Sequence, residues 1–123
     1  MIYKVAKVKS VFFGLEDHRI LTFSIGLDYG GTHQGFGGYA LDTYDKEKKR
    51  RVGCAAGTDL ILKLLNFFEV EQITDINGKY IYAVLDKDNI CGSIIGLKQL
   101  EPDGNKELLI KDWKNEWFPD KKN

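Results

Sequence analysis

Along the first thirteen residues, apolar and polar positions alternate imperfectly. Tyr3, Val5, Val8 and Val11 are separated by Lys4, Lys7 and Lys9, and Ala6 breaks the parity. A period of two predicts a half-buried strand, and the break in it predicts a bulge. Gly14 to His18 is expected to turn the chain into a second strand, Arg19 to about Tyr29, whose Leu21, Phe23, Ile25 and Leu27 share one face. Five glycines then fall between residues 30 and 38, a density that permits tight turns and close backbone approach. Gly35 to Leu41 reads as a third strand using Phe36, Tyr39 and Leu41, and Asp42 to Arg51 as an exposed excursion.

The periodicity then lengthens. From Thr58 or Asp59 to about Phe68 it becomes helical, with Ile61, Leu64, Leu65 and Phe68 as the expected core stripe and Leu60, Leu62 and Phe67 widening it. Asp59, Lys63 and Asn66 mark the polar side. Asn77-Gly78 predicts a turn, Lys79 to Leu85 a strand with few polar positions, and Asp86 to Asn89 a turn into a partner strand containing Ile90, Cys91, Ile94, Ile95 and Leu97. Pro102 and Gly104 interrupt the pattern before a short strand at 108–110 and a terminal turn or helix carrying Trp113, Trp117 and Phe118. The expected order is β-β-β-α-β-β. It gives an α+β domain over residues 1–118 with a frayed tail at 119–123. The order matches that of an OB fold, so the expected architecture is a small antiparallel β-barrel or a strongly curved sheet with one packing helix.

Composition narrows the functional classes. The 123 residues are 43% hydrophobic and include seven Phe, six Tyr and two Trp, enough for one core. Eighteen basic residues balance eighteen acidic ones, which removes the bulk electrostatic case for a strongly non-specific nucleic-acid binder. Charge is still unevenly placed: KEKKRR occupies residues 46–51. Cys54 and Cys91 are too few for a disulfide framework and are expected to be free thiols. MIYKVAKVKSVFF lacks the long apolar run of a signal peptide or membrane span, so cytoplasmic residence is the default expectation.

Candidate chemistry is sparse. GFGGYA is neither a P-loop nor a dinucleotide fingerprint. The amides of Gly35, Gly37 and Gly38 are placed to hold an anion while Phe36 or Tyr39 stacks on a base; the alternative is a tight strand crossing with both aromatics in the core. His33, in the polar GTHQG segment, is a candidate phosphate donor or general base, whereas His18 beside Glu16 and Asp17 reads as a turn residue. Asp42 and Asp45 would need further oxygen ligands to hold magnesium, and capping a loop is the simpler role. Two His and two separated Cys offer no zinc spacing. No metal, cofactor or catalytic residue is therefore expected. A single-stranded nucleic-acid site would combine Lys4, Lys7, Lys9, Arg50 and Arg51 with Phe36, Tyr39 or Tyr44. Trp113, Trp117 and Phe118 form a candidate protein interface, including one with a second copy, or else cover their own core.

The stretch LDYGGTHQGFGGYALDTYDKEKKRRVG, Leu27 to Gly53, resembles an uncharacterised family of small proteins of tailed bacteriophages and prophages, with looser agreement from about Ile2 to Leu97. The resemblance implies a small intracellular accessory protein and supplies no catalytic residues. The expected function is a non-enzymatic binder that inhibits a host-defence protein or sequesters a small nucleotide. A single-stranded nucleic-acid-binding accessory and a structural phage component are the alternatives.

Overall fold

The structure is a computed structural model that describes residues 1–87, 92–100 and 104–120. Strands β1 (Ile2–Glu16) and β2 (Ile20–Asp28) form a long antiparallel hairpin, followed by β3 (His33–Gly37) on the far side of β2. Strands β4 (Asp42–Asp45) and β5 (Arg50–Gly53) make a separate two-stranded sheet, and helix α1 (Ala55–Phe68) comes next. After a short 3-10 turn at Ile73–Ile76 the chain returns as β6 (Tyr80–Leu85), β7 (Ile94–Lys98), β8 (Glu107–Leu109) and helix α2 (Ile110–Trp117). The main sheet has the order β3-β2-β1-β6-β7-β8, antiparallel throughout.

The expected barrel, or strongly curved five-strand sheet in OB order, is not what forms. The sheet is open, with β3 and β8 at its two edges and, among the described residues, no ladder joining them. Closure would need an edge strand long enough to pair along its length, but β8 has three residues and runs straight into α2. Asp42 to Arg51, expected to be an excursion, folds as the β4–β5 hairpin. The first turn also moves: Gly14 stays within β1, and Asp17, His18 and Arg19 make the reversal, each with positive φ.

A bulge sets the register of β1. Val8 faces Leu27 and Ser10 faces Gly26, leaving Lys9 as the extra residue. Before the bulge, even positions such as Ala6 and Val8 face the core. After it, the odd positions Val11, Phe13 and Leu15 share a face with Ile25, Phe23 and Leu21. The bulge reconciles the broken alternation with a single strand.

The core lies between one sheet face and the helices. Phe23, Ile25, Leu27, Phe36, Ile81, Ala83 and Leu97 meet Leu60, Leu64, Phe67 and Phe68 of α1. The buried stripe of α1 is therefore rotated from the expected one, because Ile61 and Leu65 lie at its flanks. The helix also begins earlier than Thr58, at Ala55, and Gly57 touches the chain leading into β4. From α2, the buried Trp113 donates to Ala56 O at 2.8 Å and Trp117 donates to Asp59 Oδ2 at 2.8 Å, fastening the second helix to the first. The expected roles of Asn89, Ile90, Cys91 and Pro102 lie outside the described residues, as does the end of the tail at 121–123.

Arg51 pins β5 to β4. Its guanidinium donates to Asp42 through Nε at 2.9 Å and Nη2 at 2.8 Å, and Asp42 Oδ2 also accepts from Leu21 N at 3.3 Å. The Arg51 hydrogen bonds hold the Asp42 carboxyl below its ordinary range. Because the folded pKa is the lower one, this contribution is complete above the unfolded value near 3.8 and is lost as pH falls through the folded value. Asp42→Asn is expected to cost about 2 kcal/mol at neutral pH. Urea melts at pH 7 and pH 3 check it: the gap between variant and parent should narrow in acid.

Candidate functional site

Residues opposite one another in an antiparallel pair share a sheet face, so the register identifies what the second face carries. Val5, Tyr82, Lys98 and Glu107 form one row across it, and Tyr3, Val84, Gly96 and Leu109 the next. His33, Asp28, Lys7 and Tyr80 form a third. Both helices pack on the other side, and this face stays open. Tyr3 is 44% exposed, Val5 53% and Tyr80 55%.

The face has a built floor. Val84 and Leu109 are buried yet stand outside the main core cluster. Gly96 leaves room for them: a Cβ there would lie 2.7 Å from Leu109 Cδ2 and 2.4 Å from Leu108 O. Above this floor the Tyr3 and Tyr82 rings meet at 5.8 Å with an interplanar angle of 48°, and the Tyr3 hydroxyl donates to Glu107 Oε2 at 3.3 Å. Desolvation, followed by the Glu107 charge, raises the Tyr3 phenol above its ordinary value, so it remains a neutral donor at pH 7.

A polar strip borders the aromatic one. Lys7 Nζ sits 5.6 Å from the Tyr80 ring centroid, a cation–π distance. Lys9, displaced by the bulge, lies 3.8 Å from Asp28 Oδ2, and His33 Nδ1 lies 3.9 Å from Asp28 Oδ1. The amides of Gly30 and Gly31 donate to Asp28 at 2.9 and 3.1 Å and hold its carboxyl below the ordinary range, with His33 and Lys9 adding to the effect. Asp28 therefore stays ionised and organises Lys9 and the His33 ring around it. A depression of about 310 Å³ opens between Val5, Lys7, Lys9, Asp28 and Tyr80. Beside it, Gly26, Gly35, Ser10 and Ser24 keep the surface low.

The residues singled out by sequence are dispersed. Lys7, Lys9 and His33 belong to the open face, and Gly35 lies at its β3 border. Phe36 is 1% exposed, and Tyr39 packs against Phe23, Phe36 and Trp113, so neither ring is presented to a ligand. Gly37 is a strand crossing: its φ is +131° and a Cβ would meet Phe23 O at 2.4 Å. The Gly38 amide is already given to Phe23 O at 2.8 Å. Lys4 has the opposite parity and reaches over Tyr29 at 5.7 Å. Tyr44, Arg50 and Arg51 sit on the separate β4–β5 hairpin, where Arg51 serves Asp42. Asp45 accepts from the Glu47 and Lys48 amides. Trp113 is buried, while Trp117 and Phe118 are half-buried. Cys54 is a free, half-buried thiol and Cys91 lies outside the described residues.

Sequence reasoning missed Tyr3, Val5, Tyr80, Tyr82 and Lys98. Their signal was present in KYIYAVL, where tyrosines two apart must share a face. That this face is the uncovered one depended on where the helices dock. Among the described residues no group of three His, Cys, Asp or Glu side chains is placed to hold a metal ion, and no helix is long and apolar enough to cross a membrane. Compared with models of known protein families, with curated proteins and with solved structures, the chain matches none, and nothing there supports the phage and host-defence expectations.

Proposed function

We propose that this chain is a non-enzymatic accessory protein that binds single-stranded nucleic acid across the open face of its sheet. The observation that carries this reading is the uncovered surface on which Tyr3, Tyr80 and Tyr82 stand beside Lys7, Lys9 and Lys98. Unpaired bases stack on exposed aromatic rings regardless of sequence, and lysines alongside neutralise the backbone that joins them. Lys7 over Tyr80 combines both functions in one contact. Asp28 and Glu107 interrupt the positive strip, which favours modest affinity over tight non-specific coating. The nucleotide-pocket reading loses its aromatic half, since Phe36 is buried in the core and the half-buried Tyr39 ring is packed against Phe23, Phe36 and Trp113 with Lys114 over it. A phage setting rests on the resemblance of residues 27–53.

Fluorescence anisotropy with a labelled twelve-nucleotide single strand tests the proposal. Tyr80→Ala and Tyr82→Ala are each expected to weaken binding by about 5- to 150-fold, equivalent to about 1–3 kcal/mol per stacked base. Lys7→Ala should reduce the dependence of log K on log salt by about 0.7. Arg50→Ala, on the separate hairpin, should change neither. Absence of binding at low salt, or a response to Arg50 in place of Tyr80, would overturn the reading.

A further inference from the structure

The β1–β2 hairpin is longer than the sheet that supports it. Strand β1 pairs with β2 as far as Glu16, but with β6 only as far as Lys7, and the last bonds on that side join Val8 to Lys79 and Gly78. From Ser10 to Glu16, β1 has no strand partner on its second edge among the described residues. Edges of this kind are usually protected by prolines, inward charges or short length. This one instead carries Val11-Phe12-Phe13-Gly14-Leu15, with Phe12 39%, Phe13 47% and Leu15 48% exposed.

We infer that this edge is a homodimer interface, in which β1 of one copy pairs antiparallel with β1 of a second copy about a two-fold axis through Phe13. Symmetry restricts the choices. Two identical antiparallel edge strands are related by an axis perpendicular to the sheet, which keeps each residue on its own face, so opposed residues must have the same parity. Centring on Phe13 places Val11 opposite Leu15 of the second copy, Phe13 opposite itself and Leu15 opposite Val11, an unbroken apolar strip on one face. On the other face Phe12 lies opposite Gly14, and because each Phe12 ring leans over Gly14 of its own chain, its Cζ 3.4 Å from where a Cβ on Gly14 would be, the two rings stand side by side across the axis. At the two ends of the extended segment Ser10 falls opposite Glu16. The neighbouring permitted registers are poorer: centring on Phe12 carries Leu15 onto the Lys9 bulge, centring on Val11 carries Phe13 onto it, and centring on Gly14 opposes Phe12 to Glu16. The same axis leaves both open faces on one side of the joined sheet.

Sedimentation velocity on the full chain without nucleic acid, from about 2 to 200 µM, is expected to show a monomer–dimer equilibrium, because the strip is smaller than a permanent interface. Phe13→Lys, which places like charges on the axis, should weaken dimerisation at least tenfold, and Leu15→Lys provides the same reading if the first variant fails to fold by circular dichroism. Register is read separately with Cys54 and Cys91 replaced by alanine. Oxidised Phe13→Cys should form a disulfide dimer, since directly opposed Cα atoms at about 4.5–5.5 Å suit the bond, whereas Phe12→Cys should not. A monomer across the whole range, a dimer indifferent to both lysine variants, or cross-linking at Phe12 in preference to Phe13 would overturn the inference. None of these outcomes depends on whether the open face binds nucleic acid.

Discussion

Trp113→Ala is expected to destabilise the fold by about 4 kcal/mol, the largest single loss considered for this chain. Trp113 is 3% exposed, and its ring makes edge contacts with Tyr39 at 6.1 Å and Phe118 at 5.5 Å. Truncation removes the apolar area that binds α2 to α1 and leaves a cavity in a layer already fixed by its neighbours. It also removes the donor to Ala56 O, in the first turn of α1. A domain of this size loses about 4 °C of melting temperature per kcal/mol, so a drop of about 15 °C is expected in a calorimetric scan. Trp113→Phe should recover part of it, because the ring volume returns while the Nε1–H does not. Equal loss in both variants would assign the effect to the hydrogen bond and contradict packing as the main cause.

Gly57→Ala is the second large effect, and its sign opposes helix propensity. In an exposed helix interior the change would stabilise by about 1 kcal/mol. Here a Cβ on Gly57 would lie 1.8 Å from Leu41 O and 2.6 Å from Leu41 Cα. Both are backbone atoms, and Leu41 is itself fixed by donation from its amide to Leu21 O at 2.8 Å. Neither α1 nor the chain entering β4 can yield without breaking its own packing, so a net loss of about 3 kcal/mol is expected. Chemical denaturation of Gly57→Ala beside Gly53→Ala gives the comparison, since a Cβ at Gly53 meets nothing within 4 Å. Gly53→Ala should be close to neutral, and a neutral Gly57→Ala would show that the helix can move away from Leu41.

These two positions bear differently on the open face. Trp113 holds α2 against α1 and so keeps both helices on one side of the sheet. Gly57 sets how closely α1 approaches the segment entering β4. Neither touches Tyr80, Tyr82 or Lys7, so variants that remain folded should keep oligonucleotide binding within about twofold, whereas Tyr80→Ala should lose binding and keep its stability. Separating the two readouts distinguishes a recognition surface from a region whose integrity merely follows the fold.

Local elements were legible in the sequence wherever one interaction dominated. Alternation at Leu21, Phe23, Ile25 and Leu27 placed β2 and its buried face, since period two and a single core leave no other arrangement. The imperfect alternation of residues 3–13 announced a bulge, and Asn77-Gly78 the turn before β6. The crowded glycines at 37 and 38 were readable as a strand crossing, but only tertiary contacts could decide between that role and an anion site. The strand order depended on pairings between residues far apart in sequence, above all Ile2–Lys7 with Tyr80–Leu85. Nothing local encodes such a pairing, so a five-strand barrel and an open six-strand sheet read alike along the chain. The candidate site was hidden for the same reason. Tyr3, Tyr80 and Tyr82 carry the same alternation whether a helix covers them or solvent does, and the docking of α1 and α2 on the opposite face is what leaves them exposed.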